Sequence, residues 1–201
     1  MLADNKIKNI DPGIGNLTNL PELSFYKNNL TSLPDDIYNL YNLNEIDLYY
    51  NQIAEISDNA AQWKKLEILY LAFNKLLKVP SAISKLSSLK ELYLHNNRLV
   101  SLPDGLDSLK SLRVLRLNNN HLSNIYFDVN LMHKLDNIDL SSNNFQELPL
   151  SFWKSSSLKL ISLGENPWTQ DAWKSIEDNA EKVRKTGVIV NLKSLGEDNG
   201  N

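Results

Sequence analysis

The 201-residue chain contains no cysteine. Disulfides, thiolate metal sites and a cysteine nucleophile are thereby excluded. That absence suits the cytoplasm and equally suits bacterial export. Histidine is nearly as scarce, with only His95, His121 and His133. No serine nucleophile is clearly placed beside His95 or His121, so surface hydrogen bonding is the default reading of each. No enzyme, metal or cofactor is expected. Basic residues are not in excess: 21 Lys and Arg face 24 Asp and Glu, a formal net charge of −3. Nucleic-acid binding wants the opposite balance, and Lys64-Lys65 and Lys182 to Lys185 read as solvated faces. No apolar run approaches the roughly 18 residues of a membrane span. The opening MLADNKIKNI lacks the charged-then-apolar layout of a secretory signal. The expected location is cytoplasmic, or secreted without a visible signal peptide.

What the chain does have is a ruler. Asparagine recurs every 23 residues, at Asn5, Asn28, Asn51, Asn74, Asn97, Asn120, Asn143 and Asn166. A fixed period of this size signals stacked units in a solenoid. Apolar residues stand five and three positions before each asparagine, as in Leu92 and Leu94, and alternate with polar ones. That is a short strand, about four residues long, with one face buried. Two, five and nine positions after the asparagine, apolar residues return, as in Leu30, Leu33 and Ile37. Pro34, Pro80, Pro103 and Pro149 follow the middle one and mark the start of a return path. The later spacing, Ile83-x-x-Leu86-x-x-Leu89, suits 3₁₀ or short helical turns. One unit cannot bury enough surface to fold alone, so stability must come from stacking. The asparagine amide is expected to satisfy backbone groups buried between neighbouring units.

Leu89-x-x-Leu92-x-Leu94-x-x-Asn97-x-Leu99 and Leu112-x-x-Leu115-x-Leu117-x-x-Asn120-x-Leu122 resemble the leucine-rich repeat in its 23-residue Leu-Pro form. The resemblance runs from Leu2 to Trp168. It implies an α/β solenoid with a concave parallel β-sheet and a convex side of 3₁₀ or short helices. Bacterial and intracellular scaffold-type members look similar, secreted effectors among them, and the family mostly binds proteins. Three departures stand out. Ala60 replaces a larger aliphatic and Ser57 replaces proline, so the Asn51 unit is expected to return differently. Ser155 occupies the column of Leu40, Trp63, Leu86, Leu109 and Met132, where the core should thin.

The organisation expected is a repeat array over 1–168, opening with a half repeat at 1–16. A C-terminal cap follows over 169–192, then a flexible tail over 193–201. Because the chain opens in mid-unit, either further sequence precedes it or this end packs against a partner; a short complete reading frame is the third option. In the cap, Trp173, Ile176, Ala180 and Val183 have helical spacing, with Thr169 as N-cap. Gly187 follows the helix end, and Val188 to Leu192 reads as a strand. This layout resembles a leucine-rich repeat C-terminal cap without its usual cysteines. Trp168 and Trp173 read as packing residues rather than a ligand platform.

Binding should fall on the strand residues between the buried columns. The aromatics there, Tyr26, Tyr49, Tyr50, Tyr70, Phe73 and Tyr93, with His95, all lie in the first four full repeats. Later repeats carry Asn, Ser and Asp. Lys27, Asp47 and Arg116 complete the candidate partner-binding set, with Glu22, Glu45 and Glu91 adding acid nearby and Arg98 base. Tyr and Arg dominate interface hot spots; the plainer alternative is that tyrosine tolerates exposed strand positions. The expected partner is a folded protein on the concave face, bound by a monomer that acts as scaffold, targeting element or inhibitor. The alternative is an adaptor docking through its N-terminal repeat edge.

Overall fold

A computed structural model describes residues 2–193; Met1 and residues 194–201 lie outside it, and with them nearly all of the expected tail. Eight strands form a single parallel sheet in strict sequence order. They are β1 (Glu22–Ser24), β2 (Glu45–Asp47), β3 (Ile68–Tyr70), β4 (Glu91–Tyr93), β5 (Val114–Arg116), β6 (Asn137–Asp139), β7 (Leu160–Ser162) and β8 (Ile189–Asn191). Each strand is three residues long, one shorter than the alternation suggests. The register follows the ruler, Leu23 opposite Ile46, Ile46 opposite Leu69, Leu69 opposite Leu92.

The return path is a 3₁₀ turn in each unit from Asn5 to Asn143, beginning with Pro12–Asn16 and Asp35–Asn39 and continuing to Leu150–Lys154. Pro34, Pro80 and Pro149 stand immediately before their turns with φ near −65°, the value the pyrrolidine ring imposes. The Asn51 unit does not return differently. Ser57 takes the proline's place, and its hydroxyl accepts from the Asn59 amide at 3.2 Å, capping the turn Asp58–Gln62. The volume missing at Ala60 is made up within the same unit by Trp63, and both side chains are fully buried. Trp63 packs on Tyr38 with centroids 4.9 Å apart and donates its indole N–H to the Ile37 carbonyl. In the Asn97 unit, Pro103 is followed by Gly105 at φ +75°, and the turn shrinks to Leu106–Ser108.

The core is one continuous stack. Leu92, Leu94, Leu99, Leu106, Leu109 and Leu112 are all fully buried, and the equivalent positions of other units join them. At the C-terminus Thr169 caps helix α1 (Gln170–Arg184), its hydroxyl accepting from the Ala172 amide. Ile176 and Ala180 face the core, and Gly187 at φ +93° turns the chain into β8, which pairs with β7. Trp168 packs against the core and stacks on Phe145, while Trp173 stays half-buried.

The asparagine column holds the units together. The Asn97 Oδ1 accepts from the Leu76 amide of the preceding unit at 3.0 Å. Its Nδ2 donates to the Leu71 carbonyl of that unit at 2.9 Å and to its own Leu94 carbonyl at 3.0 Å. The same three bonds recur at Asn28, Asn51, Asn74, Asn120, Asn143 and Asn166. Replacing Asn97 by the similarly shaped leucine leaves the Leu76 amide unpaired inside the stack, while the Leu71 and Leu94 carbonyls each lose one of two donors and keep Asn74 and Asn120, respectively. With one buried amide orphaned at about 1–3 kcal/mol, Asn97→Leu should destabilise the protein by about that much in urea unfolding; an unchanged midpoint would refute this role.

Candidate functional site

The strands present three columns on the concave face, six, four and two positions before each asparagine. In the first four full units these read Glu22, Ser24, Tyr26; Glu45, Asp47, Tyr49; Ile68, Tyr70, Ala72; Glu91, Tyr93, His95. The six-before column belongs to the face as fully as the other two, which the spacing of aromatics alone did not reveal. It adds half-buried Ile68 between Glu45 and Glu91, and half-buried Val114 beyond Glu91.

The residue immediately before each asparagine sits instead in the turn that ends the strand. Asp4, Lys27, Tyr50, Phe73, Asn96, Asn119, Ser142 and Glu165 all have φ between +52° and +55°. This left-handed bend swings the next side chain, the asparagine, into the interior. Asparagine and aspartate visit the region comparatively readily, whereas bulky side chains are outliers there. Tyr50 and Phe73 therefore hold costly positions, and their rings stack at 4.2 Å with planes 18° apart.

All seven predicted rings meet in one cluster. Tyr49 is at its centre, with centroids 5.3 Å from Tyr70, 5.5 Å from His95, 6.2 Å from Phe73 and 6.3 Å from Tyr93. Tyr70 stacks on Tyr93 at 4.8 Å, and Tyr26 meets Tyr50 edge-on at 5.7 Å. The Tyr49 hydroxyl reaches His95 Nε2 at 3.3 Å, two units away. Ala72 lies between them in the same column and is fully buried beneath this span, so a larger side chain there would lift Tyr49 off the face. Tyr26 and Tyr50 remain the most open, 37% and 43% exposed.

The charged members of the candidate set are tied down. Lys27 pairs with Asp4 at 3.0 Å, both well exposed. Asp47 accepts from the Tyr49 amide at 3.0 Å and from the Ser24 hydroxyl at 3.1 Å. Arg116 pairs at 3.4 Å with Asp139, which is 1% exposed and also accepts from the amide and hydroxyl of Ser141. Arg116 thus borders the rings and serves a buried carboxylate as well.

Burial dominates the ionisation of the cluster. It pushes the Tyr49 phenol up to about 12, with the nearby Tyr70 and Asp47 adding to the rise. Tyr93 is raised too, first by burial and then by its 2.6 Å hydrogen bond to Glu91. Both are neutral hydrogen-bonding groups at neutral pH. Burial pulls His95 down to about 4; Asp139 opposes the shift and Arg116 reinforces it. The buried Nδ1 of His95 has no hydrogen-bond partner among the described residues.

With the solenoid and its concave face described, the kinship is plain. The family model for a leucine-rich repeat region matches residues 4–178, and the chain belongs to that family. No curated protein matches it. Among solved structures, a leucine-rich repeat protein of Leptospira interrogans is similar at 25% identity and TM-score 0.72, over 94% of this chain and 53% of that one. An internalin of Listeria monocytogenes is similar at 23% identity and TM-score 0.77, over 99% of this chain and 53% of that one, a likeness of fold alone. The leucine-rich repeat ectodomain of a membrane receptor kinase from Arabidopsis thaliana, solved in complex with Casparian strip integrity factor 2, is similar at 25% identity and TM-score 0.71. It is matched over 93% of this chain and 25% of its own, so the chain spans about half the length of the two bacterial proteins and a quarter of the plant one. Domains of this fold bind protein partners. Among the described residues, no helix is long and apolar enough to cross a membrane.

His95 gives the site a pH signature. Its pKa falls on folding from 6.5 to about 4, so between those values the unfolded chain takes up a proton that the native chain rejects. The stability associated with neutral His95 is fully present above pH 6.5 and is lost as pH falls toward 4. His95→Gln should flatten the decline of the thermal midpoint across that window relative to wild type. Parallel curves for the two proteins would show that His95 is not held neutral.

Proposed function

We propose that the chain is a non-enzymatic module that grips a folded protein partner through the aromatic end of its concave face. The contact residues are Tyr26, Lys27, Asp47, Tyr49, Tyr50, Tyr70, Phe73, Tyr93, His95 and Arg116. Its action is occupancy: scaffolding, targeting, or inhibition by covering a partner's active site, as a bacterial secreted effector would do. The observation that supports this most is the strain at Tyr50 and Phe73. Two other units place asparagine at the same left-handed position, so the solenoid itself has no need of an aromatic there. Strain of about 1–3 kcal/mol at such positions is typical of functional sites. A stacked, half-exposed pair is a rigid anchor with few rotamers to freeze, the kind of group on which interfaces depend. The similar plant ectodomain, seen in complex with its own factor, illustrates the use of this architecture for binding.

An adaptor docking through the N-terminal edge is the second reading, favoured by exposed Leu2 and Leu17 at that end. Size-exclusion with light scattering separates the two: a dimer abolished by Leu17→Glu would favour the edge. For the concave reading, an unbiased pull-down should be repeated with Tyr50→Asn/Phe73→Asn and with Tyr70→Ala/Tyr93→Ala. Relief of the left-handed strain and loss of ring stacking, about 0.5–1.5 kcal/mol, act oppositely, so Tyr50→Asn/Phe73→Asn should change stability by no more than about 1 kcal/mol. Both variants should lose the partner. A partner retained by both, on folded proteins, would remove the concave face from consideration.

A further inference from the structure

The aromatic end of the sheet carries acid without matching base. Glu22 and Glu45 are direct neighbours across β1 and β2, and like charges so placed repel. Glu45 and Glu91 lie level on either side of Ile68, while Asp47, Tyr70 and Tyr93 form the next row. Among the described residues none of these four carboxylates forms an ion pair. The basic residues of the candidate set, Lys27 and Arg116, are already paired with Asp4 and Asp139, and Lys90, beside Glu91 in sequence, is paired with Glu67. Burial, then the charges of Glu22, Asp47 and Glu91, raise the Glu45 carboxyl, so the repulsion is felt in the free protein.

Ring faces and carboxylates coincide here. Tyr70 and Tyr93 stack at 4.8 Å, and Tyr70 feels Glu45, Glu91 and Asp47 together. An aromatic face flanked by carboxylates suits a guanidinium or ammonium group, which gains from both. A bare metal ion fits poorly. Strands stand about 4.8 Å apart, which puts the backbones of Glu45 and Glu91 roughly 10 Å apart, and no described trio of His, Asp or Glu could hold a metal ion.

We propose that this part of the concave face receives an arginine- or lysine-bearing segment of the protein partner, one cation resting against Tyr70 and Tyr93 between Glu45, Asp47 and Glu91. The inference rests on the concave face being the interface and adds the chemistry of what it holds. A bound cation would also relieve the repulsion among the carboxylates, so part of the binding energy is set aside in the free fold.

The probe is an acetylated, amidated 12-residue peptide of alternating arginine and glycine, with a citrulline analogue as its uncharged isostere. In ¹⁵N-labelled wild type, the arginine peptide should shift the amide resonances of Tyr70, Tyr93, Glu45 and Glu91, and the citrulline peptide should not. Glu45→Gln/Glu91→Gln should keep or raise the thermal midpoint and weaken the arginine peptide about tenfold, which is about 1.4 kcal/mol. Equal binding of both peptides, no binding of either, or an affinity unmoved by the glutamine pair would overturn the proposal. The captured partner separates the two levels of inference. If Tyr50→Asn/Phe73→Asn loses it and Glu45→Gln/Glu91→Gln holds it, the interface stands and the basic segment falls.

Discussion

The hydrogen bonds of the buried asparagine are the constraint from which the rest of this structure follows. A solenoid unit ends its strand with carbonyl groups pointing between layers, where no further strand residue can meet them. The asparagine amide supplies donors to two of those carbonyls, one in its own unit and one 26 residues back. Its oxygen takes an amide 21 residues back. A leucine of the same shape would fill the space, orphan that amide and leave each carbonyl with only the neighbouring asparagine as donor, at a cost that is a sizeable share of a domain's net stability. Each such residue is bonded both within its unit and to the unit before it, so the column makes neighbouring units stack in one register.

That geometry carries a local cost. To aim the asparagine inward, the preceding residue must bend into the left-handed region in every unit from Asp4 to Glu165. Asparagine, at 96 and 119, meets the requirement with least strain; Tyr50 and Phe73 meet it with the most. The same bend therefore fixes the core and creates, at its outer corner, a position where side-chain choice is free of packing demands and open to selection for contact. Core and proposed interface meet at adjacent residues of one turn.

The period, the buried columns, the 3₁₀ returns and the capping helix were legible in the sequence because each depends on local spacing. The concave aromatics were legible as a set because alternation assigns faces. Their mutual arrangement was not. Tyr49 reaches His95 across two units, and only the alanine at 72 allows it; nothing in the spacing of one repeat encodes a contact that skips the next. The left-handed column was hidden for a different reason: in this sequence it is filled by seven residue types, so composition masks a shared backbone conformation. Ser57 shows the converse error. Loss of proline suggested a different path, yet a hydroxyl accepting from the Asn59 amide holds the same turn.

The uneven placement of charge follows from the same architecture. In a parallel in-register stack, side chains in one column repeat about every 4.8 Å, so any like-charged column repels itself unless paired or interrupted. Elsewhere on the molecule the interruption is present: Lys90 pairs with Glu67, and Arg113 and Lys159 flank Asp136. On the aromatic end of the concave face Ile68 separates Glu45 from Glu91, but Glu22 and Glu45 remain adjacent and unpaired. A fold free to place a lysine in that column would gain stability by doing so. Keeping the acids beside costly rings makes physical sense where something outside the chain supplies the missing positive charge.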